Sequence, residues 1–92
     1  MKRNRMNYDE LKCFVDEINY QVDHSDDREE LSHNVMSVVD DTSYERGWED
    51  ETEILGELSV LIDEEDEWGF TALKNEIKRI CADALKKLSK NA

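Results

Sequence analysis

Carboxylates are the commonest chemical groups in this 92-residue chain, with 24 Asp and Glu against 12 Lys and Arg. The densest run is I-D-E-E-D-E-W-G-F at residues 62–70, where five consecutive acids stand beside Trp68 and Phe70. Such a run could chelate a cation, imitate a nucleic acid or form a solvated turn. A calcium loop of the EF-hand kind needs oxygen ligands at its first, third and fifth positions, glycine at the sixth and glutamate at the twelfth. With Gly69 as the sixth residue, Glu64 and Asp66 fill the first and third positions. Trp68 then occupies the fifth and Asn75 the twelfth, so the spacing fails twice.

The remaining candidates for chemistry are sparse. His24 and His33 stand nine residues apart, and neither Cys13 nor Cys81 has a second cysteine at zinc-ligand spacing. Ser32 and His33 are chain neighbours, which point in different directions on a helix, and no G-x-S-x-G turn is present. Gly47, Gly56 and Gly69 are too scattered to cradle a phosphate. A non-catalytic protein without metal or cofactor is therefore expected.

The elements that must position the acids follow from apolar spacing. Proline is absent, which leaves long stretches free of helix breakers. Tyr8, Leu11, Phe14, Val15, Ile18 and Val22 recur at three and four residues, predicting a first helix capped by Asn7 and ending near His24. Asp26 or Asp27 caps a second helix with Leu31, Val35, Val38 and Val39 inward and Met36 on its flank. D-D-T-S-Y-E-R-G, residues 40–47, breaks the periodicity and reads as a loop. A third helix begins near Asp50 with Ile54, Leu55, Leu58, Leu61 and Ile62 inward, and ends in the acidic run, with Gly69 as a positive-φ residue. A fourth begins near Thr71 with Leu73, Ile77, Ile80, Cys81, Ala84 and Leu88 inward. No segment alternates with period two. The expectation is an all-α fold, a four-helix antiparallel bundle with short loops in one domain spanning residues 1–92, residues 1–6 forming a basic extension. Cys13 and Cys81 read as free thiols used as small apolar residues, and Trp68 and Phe70 as rings closing one bundle end.

The opening M-K-R-N-R-M-N-Y lacks the apolar stretch of a secretory signal, and no run reaches the ~18 apolar residues of a spanning helix. A cytoplasmic protein is expected.

The formal charge of −12 is unevenly distributed. Residues 40–67 hold 13 acids against Arg46 alone, whereas residues 71–92 hold six basic residues against two acids. Intramolecular pairing of the basic fourth helix is expected, with no direct contact to nucleic acid, since the acidic surface repels phosphates. Tolerated self-repulsion on this scale points to a cationic protein partner. Tyr44 and Trp48 stand among the acids outside the core pattern, as aromatic anchors ringed by charge do at tight interfaces. The expected contact is Asp40, Asp41, Tyr44, Glu45, Trp48, Glu49, Asp50, Glu53 and Glu57, with Asp63, Glu64, Asp66 and Trp68 as its rim.

In size, charge and helical layout the whole chain resembles the small acidic immunity proteins that neutralise bacteriocin and contact-dependent-inhibition nuclease toxins of bacteria. It has no adjacent tyrosine pair of the kind carried by the colicin DNase group, which leaves immunity proteins of tRNase and other RNase toxins open. The resemblance implies a toxin inhibitor without catalysis, in a tight one-to-one complex with a nuclease domain. Two other readings are a phage decoy that mimics nucleic acid against restriction or CRISPR enzymes, and a regulatory interaction module. Spread over a single helix, residues 40–67 would carry one net charge per ~3.5 Å, about half the linear density of duplex DNA. That suits a patch better than a long duplex mimic.

Overall fold

In the computed structural model, which describes residues 8–46 and 53–91, each predicted apolar row becomes one inward helix face. Helix α1 (Tyr8–His24) buries Leu11, Phe14, Val15, Ile18 and Val22, while Tyr8 at its start is 41% exposed. The chain turns through residues 25–27 into α2 (Arg28–Arg46). Asp27 is the cap: its Oδ1 accepts the Glu30 N–H at 2.8 Å and its carbonyl accepts the Leu31 N–H at 2.9 Å. Glu30 answers by accepting the Asp26 N–H at 3.0 Å. Carboxylates there satisfy orphan amides and complement the positive end of the helix dipole. Ser25 fixes the corner, donating to the Gln21 carbonyl at 2.6 Å and accepting from the Asn34 side chain at 3.1 Å.

Helix α2 turns Leu31, Val35 and Val39 inward with Ser32, and packs Met36 and Val38 half-buried on its flank. It does not stop at Val39. Residues 40–46, expected as a loop, continue the helix to Arg46. The segment lacks an apolar stripe because the turns past Val39 have little core left to cover. Its backbone keeps the helical bonds without one.

Helix α3 (Glu53–Asp63) is short but buries Ile54, Leu55, Leu58, Leu61 and Ile62, five of its eleven residues. Burying side chains of this size contributes ~1.5–3 kcal/mol each, so packing rather than length stabilises α3. The expected start at Asp50 lies outside the described residues. The C-terminal turn tightens, with the Glu64 N–H shared between the Val60 and Leu61 carbonyls at 3.3 and 3.1 Å, and leads into a 3-10 turn at Glu65–Glu67.

Helix α4 (Phe70–Asn91) buries Leu73, Ile77, Ile80 and Cys81, with Ala84, Leu85 and Leu88 half-buried. Gly69 is its cap, accepting the Leu73 N–H at 2.8 Å. Its φ lies outside the left-handed region, contrary to the expected positive φ, and a Cβ there would meet nothing within 4 Å. The chain needs only a helix start here, and any residue can adopt that conformation. Trp68 and Phe70 pack half-buried against the core, closing the end of the bundle as expected.

Consecutive helices pack side by side, α4 returns against α1, and α2 meets α4 across the diagonal. The bonds from Arg28, first in α2, to residues just beyond α3 show that these two helices run antiparallel. The result is an all-α four-helix bundle of 38 × 25 × 21 Å. Both thiols are free, but only Cys81 serves as a core residue. Cys13, expected to do likewise, is exposed because it falls one position before Phe14 and off the inward row. No helix among the described residues is long and apolar enough to cross a membrane.

Candidate protein-binding surface

Folding sorts the charges by helix pair. Helix α1 carries five acids against Lys12, and α4 six basic residues against Glu76 and Asp83, so these adjacent helices are together neutral. On the other side, α2 carries five acids and two arginines, α3 three acids and no base, and residues 64–67 four acids. That half of the bundle has a formal charge of −10 and no lysine.

The neutral half pairs internally. Lys78 of α4 donates to Asp23 of α1 at 2.9 Å, and this bond holds the Asp23 carboxyl below its ordinary range. Arg79 engages Glu76 through two hydrogen bonds, at 2.7 and 2.6 Å, and Asp83 at 2.7 Å. Those bonds lower the Glu76 pKa and raise that of Arg79. The Lys74 ammonium sits 4.4 Å from the centre of the Phe70 ring. Of the basic residues on the fourth helix, Lys78 and Arg79 thus pair intramolecularly, with α1 and with their own helix. Between the two halves the Glu57 charge reaches Arg79 and contributes slightly to raising its pKa, without an ion pair among the described residues.

The acidic half carries more carboxylates than its two arginines can neutralise. Asp40 and Asp41 are exposed on α2, and Tyr44, one turn further along the same face, is 91% exposed. Glu45 continues this helix. Because residues 40–46 are helical, Ser37, Asp40, Asp41 and Tyr44 fall on one exposed stripe at three- and four-residue spacing. Glu53 begins α3, and Glu57, Asp63 and Glu64 are exposed along or just past it. Among the described residues Asp40, Asp41, Glu57, Asp63 and Glu64 make no ion pair. Trp48, Glu49 and Asp50, expected within the contact, lie outside the described residues.

The rim is held by a residue the sequence reading passed over. Arg28 donates from Nη1 to the Trp68 carbonyl at 3.0 Å and stands 3.7 Å from Asp66 through Nη2. This link ties the start of α2 to the turn after α3, though it leaves the Arg28 Nε buried without a partner. Asp66 itself is 94% exposed, so its ion pair is solvent-screened. The carbonyl contact is the stronger positioning element. An arginine beside a capping aspartate, facing four acids across a predicted bundle, was the available signal.

Val60 was also missed. It is 59% exposed on α3, opposite the buried face of Leu55, Leu58 and Ile62. A helical wheel drawn from the α3 core row places it outward. Near Arg28, an open depression of about 310 Å³ borders Asp27 and Glu29, a charged surface unlike the apolar pockets that enclose small ligands. Among the described residues no three His, Cys, Asp or Glu side chains converge as a metal ion would need. His24 stacks on Tyr20 with ring centres 4.0 Å apart and its Nδ1 is 2.9 Å from the Tyr20 carbonyl, a helix-end contact.

No protein-family model matches the chain, and neither a curated protein nor a solved structure matches it.

Proposed function

We propose that the protein is a non-catalytic inhibitor that binds a cationic nuclease toxin domain one-to-one and covers its nucleic-acid-binding cleft, as a cytoplasmic immunity protein does. The observation that carries this reading is the −10 formal charge on the α2, α3 and 64–67 half, set against a neutral α1–α4 half. A protein that needed its acids only to stay dissolved could spread them over every face. Here the net negative charge falls on one side, because the acids of α1 are offset by the bases of α4 while those of α2, α3 and residues 64–67 face only two arginines. An opposing basic cleft would relieve this self-repulsion on binding and would steer association through the long-range field. The described acids of residues 40–46 and 53–67 lie on the end of α2, on α3 and in the turn after it, so their charge is not strung along one long helix. That favours a protein cleft over imitation of a long duplex.

The test is inhibition of purified cationic nuclease domains, including any encoded beside this protein, with association followed by stopped flow. One nuclease should be inhibited stoichiometrically while unrelated enzymes are spared. Its association rate should fall at least about tenfold between low and ~0.5 M salt. Association that is flat in salt removes the steering argument. Inhibition of several unrelated DNA-binding enzymes would replace this reading with the nucleic-acid decoy, and the absence of any inhibited nuclease would leave a regulatory interaction module.

A further inference from the structure

On the α3 surface the positions three and four residues either side of Val60 are Gly56, Glu57, Asp63 and Glu64. Three are exposed carboxylates, and the fourth has no side chain to cover the valine. Val60 is thus an exposed apolar group framed by acids, on a helix whose other apolar large side chains are all buried. An exposed β-branched residue is not the choice helix propensity makes, since Ala, Glu and Lys all favour the helix more. Tyr44 repeats the pattern on the neighbouring helix, a 91% exposed ring following Asp40 and Asp41 by one turn.

We infer that Val60 and Tyr44 are the apolar anchors of the acidic surface, and that the partner presents an apolar recess or side chain bordered by Lys and Arg. The inference rests on the cationic-partner reading and narrows it: charge steers the encounter, while the two anchors resist dissociation. Every ionisable neighbour of Val60 on its helix, and every ionisable residue one turn before Tyr44, is acidic, so the complement must be basic. Truly electrostatic binding would need neither anchor. The occupant is therefore a protein segment of mixed basic and apolar character, rather than a polyamine or a uniformly basic tail.

The probes are two helical peptides of equal positive charge, one Lys/Leu amphipathic and the other Lys/Ser, titrated into the full chain with its valine methyl groups isotopically labelled. The Lys/Leu peptide should bind about tenfold more tightly, with the Val60 methyl signal shifting and the advantage persisting at ~0.3 M salt. Val60→Ser and Tyr44→Ser, both exposed and checked by circular dichroism, should each remove much of that advantage. Equal affinities, or an advantage that survives both substitutions, overturn the anchors. If neither peptide binds at low salt, the cationic-partner reading falls with them. A failure of all nucleases to be inhibited, alongside the predicted peptide difference, would overturn only the nuclease as partner.

Discussion

The two halves of this bundle share one core but solve their surface electrostatics in opposite ways. Helices α1 and α4 are long, neutral as a pair and laced by Lys78–Asp23 and the Arg79 bonds to Glu76 and Asp83. Helix α3 and the end of α2 carry unpaired acids instead, and α3 is half the length of α4. What keeps α3 in place is hydrocarbon, with five of residues 54–63 buried, whereas α4 buries four of residues 70–88. The comparison teaches that the acidic half depends on the core for its stability and leaves Asp40, Asp41, Glu57, Asp63 and Glu64 exposed without ion pairs.

The sharpest way to break that comparison is to remove core from the acidic half. Leu58 is fully buried, and Leu58→Ala should cost about 3 kcal/mol, lowering the thermal midpoint by well over ten degrees. Leu88→Ala, at a half-buried site on α4, should cost about 1 kcal/mol or less under the same calorimetric scan. Equal effects would show that α3 has no special dependence on packing.

Alkaline pH probes the other half. Burial pushes the Cys81 thiol up to about 12 in the folded chain, above its ordinary value near 9. Between those values the unfolded thiol loses its proton while the folded one keeps it. The Cys81 contribution to stability is therefore fully present below about pH 9 and lost as pH rises toward 12. Denaturant midpoints should fall more steeply over that range for the wild type than for Cys81→Val. Parallel curves would mean that Cys81 is less enclosed than its position implies.

Salt should produce the smallest effect and the most direct contrast in sign. Raising ionic strength weakens the exposed pairs of α1 and α4 but screens the self-repulsion of the −10 half. Because exposed pairs contribute little, the repulsion wins, and the thermal midpoint should rise by a few degrees from ~0.02 to ~0.5 M salt. A fall would place the dominant charge effect in the pairs instead.

Much of the fold was legible because three- and four-residue apolar spacing has one physical meaning, a face turned inward. The rows of Leu11 to Val22, Ile54 to Ile62 and Leu73 to Cys81 were read correctly for that reason. The error at residues 40–46 has the same root. Apolar periodicity reports burial and falls silent where a helix runs past its core, so D-D-T-S-Y-E-R resembled a loop. That error concealed the site's geometry, since the stripe of Asp40, Asp41 and Tyr44 exists only if the segment is helical. Gly69 was misjudged because glycine permits a positive φ without requiring one.

The sequence by itself determined the helix count, the inward faces, the acidic balance of residues 40–67 and the basic balance of the last helix, all of which are local or additive along the chain. Only the tertiary structure decided which charges share a side of the molecule. That depends on helix adjacency: α1 against α4 cancels their charges, and α2 against α3 sums theirs. Tertiary packing likewise recruited Arg28 to hold the turn at Trp68, a contact across 40 residues of chain that no periodicity encodes. It also separated the fates of similar residues, burying Leu58 and leaving Val60 in the open, because an eleven-residue helix packed on one side has only one face to hide.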